Sequence, residues 1–196
     1  EILKDLNLDK KAIGYRAGGL YIQPFEKIKK EFIKYGIKYD FSVLKGASSF
    51  SDSNNYSFDF TDAPKNSIYK FNDDILKEDI NGRFIEISME QIKLKGIFKI
   101  LNSFYYNLTK SKKSQKKFGD GGSSGNLINS RRSLLSYYCV YETISLELLN
   151  PVRKKLYFKS LKKNDLQHHI SHPKLISSSN LSVFDSFLKK ATRKYK

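Results

Sequence analysis

A strand, a helix and a second strand follow one another near the start of the chain, and this order constrains the fold more than any other feature. Residues 12–19 predict a short strand that runs into a Gly-Gly loop. Pro24 suits the first turn of a helix and Gly36 its left-handed end, and residues 37–43 predict the next strand. The helix has one apolar face, formed by Phe25, Ile28, Phe32 and Tyr35. This order predicts an α/β fold with parallel strands and flanking helices.

The rest of the chain contains shorter apolar patterns. Residues 46–82 are rich in Ser, Asn and Asp and predict a long excursion with short strands. Residues 83–87 predict a strand, residues 90–108 an amphipathic helix interrupted by a glycine, and residues 137–149 either a strand or a helix. We expect Asn180 to cap a last helix. Its expected inward face comprises Leu181, Phe184, Phe187, Leu188 and Ala191.

Length and cysteine content limit the class of protein. The chain has 196 residues, of which 39% are hydrophobic, and we predict a single domain over residues 1–196. Cys139 is the only cysteine, so neither an intrachain disulfide nor a cysteine-based zinc site can form. No apolar run approaches the roughly 20 residues that cross a bilayer, and we predict no transmembrane segment.

The positive charge is large but unevenly distributed. The formal net charge is +16, and 30 of the 36 basic residues are Lys. Because base and phosphate recognition favours Arg, we do not predict specific binding to nucleic acid. Residues 1–90 carry 14 basic and 15 acidic groups, whereas residues 91–196 carry 22 and 5. The excess positive charge of the second half either lies on solvated side chains that have no binding role or forms a surface for an acidic partner, polymer or membrane. Residues 110–126 combine lysines with glycines and predict an exposed, flexible loop.

Several polar residues lie where chemistry could occur. Arg16 and Asp40 fall at the ends of the first two predicted strands, and ligands bind at that edge in α/β folds. An ion pair and a turn are the simpler interpretations of these two residues. All three histidines fall within five positions, as His168, His169 and His172. They could supply a general acid or base, or metal ligands, or be a chance cluster.

Five segments, taken in order, resemble motifs of the polysaccharide deacetylases, the NodB-like carbohydrate esterase family four. The resemblance covers residues 12–88 and 165–190. The segments are Tyr15-Arg16-Ala17-Gly18-Gly19, Tyr35-Gly36-Ile37-Lys38-Tyr39-Asp40-Phe41-Ser42-Val43, Asp59-Phe60-Thr61-Asp62-Ala63-Pro64, Phe84-Ile85-Glu86-Ile87-Ser88 and Ile170-Ser171-His172-Pro173-Lys174.

The resemblance implies a partial, distorted (β/α) barrel. It also implies hydrolysis of N-acetyl groups on a polysaccharide or other amino-sugar substrate with a divalent, zinc-like metal. Arg16 would orient the catalytic base, His172 would protonate the leaving amine, and Asp40 would polarise or order the site. The metal would be held by an Asp and two His from earlier motifs of the family.

The chain also departs from the family pattern. The Thr-Phe-Asp-Asp-Gly and His-x-x-x-His motifs of the family should precede Arg16, and neither occurs in the residues before it. Gly18 replaces a frequent Pro, and Phe41 stands where Ser is usual. We therefore expect a C-terminal portion of a deacetylase that is inactive by itself and needs its missing N-terminal segment, or self-association, to cover exposed strand edges. The alternative is a catalytically inactive barrel that acts as a glycan-binding module.

Overall fold

The computed structural model describes most of the chain as two compact units, residues 1–90 and residues 91–196. The described residues are 12–51, 56–109, 112–119, 139–161 and 166–194.

The first unit is built on an open four-stranded sheet. Its described residues form the strands β1 (Gly14–Tyr15), β2 (Tyr39–Asp40), β3 (Ser48–Ser51), β4 (Tyr56–Asp59), β5 (Ile68–Phe71) and β6 (Phe84–Ile87), and the α-helix α1 (Glu26–Tyr35). The sheet order is β1-β2-β6-β5, in which β1, β2 and β6 are parallel and β5 is antiparallel to β6. Strands β3 and β4 form a separate antiparallel pair. The predicted strand-helix-strand unit and the short strands of the excursion are confirmed.

Helix α1 ends where the sequence predicts. Gly36 has φ of 69°, in the left-handed region that side chains with a Cβ rarely adopt. Its N–H donates to the carbonyl of Ile33, and the N–H of Ile37 donates to that of Phe32, which satisfies carbonyls at the end of the helix. The chain can then turn directly into β2.

The core of the first unit is a cluster of aromatic rings between α1 and the sheet. The ring of Phe25 lies 4.8 Å from that of Phe71, 5.0 Å from Phe32 and 5.1 Å from Phe84, in edge-to-face geometry. All four side chains are buried. Edge-to-face pairs add to the stabilisation that burial of apolar area provides.

In its described residues, the second unit combines one strand pair with three α-helices. They are β7 (Gln91–Lys95), α2 (Ile97–Thr109), β8 (Cys139–Thr143), α3 (Pro151–Leu161) and α4 (Ser178–Lys194). Strands β7 and β8 are antiparallel. The helix predicted over residues 90–108 is therefore wrong in its first part, because residues 91–95 pair with β8. The ambiguous segment 137–149 contains a strand.

The core of the second unit lies between α3, α4 and the strand pair, and its buried members are Ile92, Ile144, Leu149, Tyr157, Phe158 and Phe187. The predicted inward face of α4 is partly wrong, because Leu181 and Leu188 are 44% and 43% exposed. Val183 packs against the core instead, together with Phe184 and Ala191. The two leucines lie towards the edge of the face centred on these residues.

The described residues form a mixed α/β structure and no closed barrel. The antiparallel strand β5 ends the sheet on one side and β1 ends it on the other. Of the loop predicted over residues 110–126, only residues 112–119 are described; they contain a 3₁₀ turn at Lys113–Gln115 and a bridge between Lys117 and Ser177. No helix in the described part of the chain is long and apolar enough to cross a membrane.

The aromatic core gives a matched test of the first unit. We expect Phe84→Ala to lower its free energy of unfolding by about 3–5 kcal/mol, because the substitution removes ring contacts with Phe25, Phe32 and Phe71 and leaves a cavity that relaxation refills only in part. Phe50→Ala makes the same chemical change at a side chain that is 77% exposed and should alter stability by less than about 0.5 kcal/mol. Urea denaturation of both variants measures the difference, and equal losses would contradict this core.

Candidate functional site

Arg16 lies at the carboxyl edge of the parallel strands, directly after β1, and is exposed. The loop that follows turns sharply, since Gly19 has φ of 63° and Leu20 has φ of 68°. A left-handed Leu costs of order 1 kcal/mol, and its buried side chain offsets that cost. The loop is therefore held in a conformation that local preference alone would not select.

Asp40 holds this loop through one intermediate residue, Ser42. The N–H of Ala17 donates to Ser42 Oγ at 2.8 Å, and Ser42 Oγ donates to Asp40 Oδ2 at 3.1 Å. The N–H of Ser42 also donates to Asp40 Oδ1 at 2.9 Å. Asp40 is fully buried and does not reach solvent. It is placed to order the residue next to Arg16.

A second buried acid, Glu86, lies beside Asp40. The two residues are register partners on β2 and β6, and both are fully buried. The N–H of Val43 donates to Glu86 Oε1 at 3.1 Å, whereas Glu86 Oε2 has no donor among the described residues. Tyr69, its partner on β5, donates its hydroxyl to the carbonyl of Ile75 instead.

One proton satisfies this acid pair. Burial raises the pKa of Glu86 well above its ordinary range, and the neighbouring Asp40 charge raises it further. Burial also raises the pKa of Asp40, while hydrogen bonds to the carboxylate, including those from Ser42, oppose that rise. The larger rise favours Glu86 as the protonated member of the pair, and it leaves Asp40 as the charged acceptor for Ser42.

His172 belongs to the second unit and is exposed. It precedes a 3₁₀ turn, Pro173–Leu175, and its Nδ1–H donates to Glu147 Oε1 at 2.8 Å. The side chain of Glu147 is only 10% exposed, so it holds the imidazole from the protein side. Glu147 also lines a cavity of about 120 Å³. This arrangement fixes one ring nitrogen and directs the other away from the carboxylate.

His169 has a structural environment, unlike His172. Its ring lies 5.6 Å from the rings of both Tyr157 and Phe187, and its Nε2–H donates to Gln167 Oε1 at 2.7 Å. Burial lowers the pKa of His169 to about 4, and the charge of His168 contributes to the shift. The histidine cluster is thus divided between a core ring and a surface ring.

Arg16 and Asp40 lie in one unit and His172 in the other; that all three serve one site stays a prediction. Sequence reasoning did not single out Glu86, Ser42 or Glu147. Glu86 carries one local signal, because it is an acid within a short strand whose other residues are apolar. The described ranges contain no group of three or more His, Cys, Asp or Glu side chains placed to hold a metal ion.

Comparison with protein-family models, curated proteins and solved structures gives no match to this chain.

The buried acid pair predicts an unusual pH dependence. In the unfolded chain Glu86 releases its proton as the pH rises past its usual pKa of 4.5, whereas the folded state retains the proton to higher pH. Between these two pKa values, the acid pair therefore makes the first unit less stable as the pH rises. We expect Glu86→Gln, which cannot ionise and keeps an acceptor for Val43, to flatten that decline. Thermal unfolding followed from about pH 5 to about pH 8 measures it.

Asp40→Asn is the matched control for this prediction. The amide N–H₂ of the new side chain would face a donor of Ser42 where a carboxylate oxygen now accepts, so one hydrogen bond would be lost. We therefore expect the free energy of unfolding to fall by about 1–3 kcal/mol at every pH. Equal stability losses in the two variants would contradict a proton on Glu86.

His169 predicts the opposite pH dependence for the second unit. Its pKa falls from 6.5 to about 4 on folding, so the folded state resists protonation. The free energy of unfolding therefore decreases by about 3 kcal/mol as the pH falls from 6.5 to about 4. Proton NMR of the histidine Cε1–H signals tests this directly. The signal lost in His169→Phe should titrate near pH 4 in the unsubstituted chain, and a midpoint near 6.5 would contradict the buried environment.

Proposed function

We propose that this chain is the later part of a carbohydrate deacetylase, an enzyme that hydrolyses N-acetyl groups on amino-sugar polymers. The observation that carries the proposal is the hydrogen-bonded connection from Ala17 through Ser42 to Asp40, which fixes the Arg16 loop at the carboxyl edge of three parallel strands. Ligands bind at that edge in α/β folds. On this proposal the open sheet is one portion of a distorted (β/α) barrel.

The proposal gives each residue a chemical role. The exposed guanidinium of Arg16 can hold a carboxylate or a sugar oxygen in a defined orientation. Asp40 is a positioning residue that acts through Ser42. In hydrolysis, water adds to the amide carbon, the C–N bond breaks, and the nitrogen takes a proton as it leaves as an amine. His172 supplies that proton, and Glu147 orients its ring.

The resemblance implies a divalent metal, and the described residues offer no group that fits one. On this proposal its ligands and the general base come from family motifs that this chain does not contain. The roles of Arg16, Asp40 and His172 are argued from their own contacts and involve no step at the metal.

The burial of both acids favours a second candidate, a glycan-binding module. Asp40 and Glu86 are fully buried, so neither carboxylate contacts a ligand at the surface. Arg16 and His172 are exposed and would remain as hydrogen-bonding groups for sugar hydroxyls. The two candidates differ in whether bound glycan is hydrolysed.

Acetate release from oligomers of N-acetylglucosamine tests the proposal with the product of the complete gene. We expect chelator-sensitive turnover, with kcat lowered about 100-fold or more by either substitution. Arg16→Ala removes the group that orients the base or the sugar, and His172→Ala removes the group that protonates the leaving amine. Arg83→Ala and Lys174→Ala are matched controls at exposed positions and should leave kcat unchanged.

The 196-residue chain alone should release no acetate. Chelator-sensitive turnover by that chain would overturn the assignment of the metal ligands to other motifs. Binding of the oligomers without turnover by the complete product, weakened by Arg16→Ala, would favour the glycan-binding module. Neither turnover nor binding would overturn both candidates.

A further inference from the structure

Helix α2 exposes a continuous apolar stripe. The stripe comprises Ile97, Ile100, Leu101, Phe104 and Leu108, whose exposures range from 44% to 69%. The spacing of three and four residues places all five on one side of the helix. A stripe of this kind normally faces a core, and here it faces solvent.

The opposite side of α2 attaches the helix to the second unit through polar contacts. Asn102 Oδ1 accepts from Asn150 Nδ2 at 2.8 Å and from Arg153 Nη1 at 2.6 Å. Tyr105 Oη accepts from Gln115 Nε2 at 3.2 Å. None of the residues of α2 is buried. The orientation of the helix is therefore fixed by its polar face, and turning the stripe inward would break these bonds.

Along the sequence, the helix that carries the stripe is flanked by charges of one sign. Residues 91–119 contain eight lysines and no Asp or Glu. Lys95 precedes the helix, and Lys112, Lys113 and Lys116 follow it, all of them exposed. An apolar stripe with cations at both ends is complementary to a surface that is apolar inside and anionic at its boundary.

We propose that α2 docks this protein onto an anionic lipid surface. The 13-residue helix is about 20 Å long and would lie in the plane of the interface, with its stripe about 5–10 Å into the boundary between headgroups and acyl chains. The flanking lysines would contact acidic headgroups, and such attraction strengthens interfacial binding.

The same charges disfavour a second copy of this chain as the occupant. Two such faces would bring the lysines that flank one stripe against those that flank the other, and residues 91–119 contain no acidic side chain to pair with them. Like-charge juxtaposition across an interface opposes association. A lipid surface supplies an apolar layer for the stripe and negative charge for the lysines that flank it.

Vesicle co-sedimentation of the full chain tests the proposal. We expect binding to phosphatidylcholine vesicles that contain about 30% phosphatidylserine, weak binding to pure phosphatidylcholine, and a loss of affinity with added salt. Phe104→Asp should weaken binding about tenfold or more, because it puts a charge in the middle of the inserted face. Ser103→Asp is the matched control, an exposed position on the same helix outside the stripe, and should have a much smaller effect.

Circular dichroism checks that both variants fold, and Ile97→Ser with Leu108→Ser repeats the test without a change in charge. Light scattering measures the oligomeric state of each protein. The proposal is overturned by absence of binding to the anionic vesicles, by equal binding to pure phosphatidylcholine, or by equal effects of Phe104→Asp and Ser103→Asp. A dimer that Phe104→Asp converts to a monomer would assign the stripe to a second copy and also overturn it.

Discussion

A pair of buried carboxyl groups with one proton between them organises the first unit. Asp40 and Glu86 stand side by side on two central parallel strands, on the face that also carries the aromatic core. Two adjacent buried charges would be costly, and burial together with the Asp40 charge raises the pKa of Glu86 well above its ordinary range. The protonated form of Glu86 leaves the charge on Asp40, which accepts hydrogen bonds from Ser42. The conformation of the loop that bears Arg16 depends on that division, because Ser42 connects the loop to Asp40.

The second unit depends on polar contacts of a different kind. Arg153 forms two hydrogen bonds of 2.7 Å with the carboxylate of Glu142 and a third with Asn102. Bidentate geometry offsets the cost of burying the guanidinium. Because Asn102 belongs to α2, this network fixes the rotation of that helix, and the exposed stripe follows from it. In both units, buried polar groups determine which side chains reach the surface.

The predictions from the sequence succeeded where the signal was local. The left-handed Gly36 and the apolar spacing of the preceding helix are read directly from neighbouring residues. Arg16 directly follows the first strand, and Asp40 is the last residue of the second. The predictions failed where the structure of a segment depends on residues far away in the sequence. Residues 91–95 alternate between apolar residues and lysines and are compatible with a strand, but only pairing with β8, far along the chain, selects it. Glu86 was missed as a site residue because alternation does not show that an acid lies on the buried face.

By itself, the sequence determined the α/β class, the order of the first elements and the residues that end the parallel strands, because backbone preference and apolar spacing act over a few residues. Only the tertiary structure decided which acid carries the proton, which histidine lies in the core and which face of α2 meets solvent. Each of those outcomes depends on the desolvation of a polar group and on the partner that compensates for it, and such partners are brought together by the fold rather than by proximity in the chain.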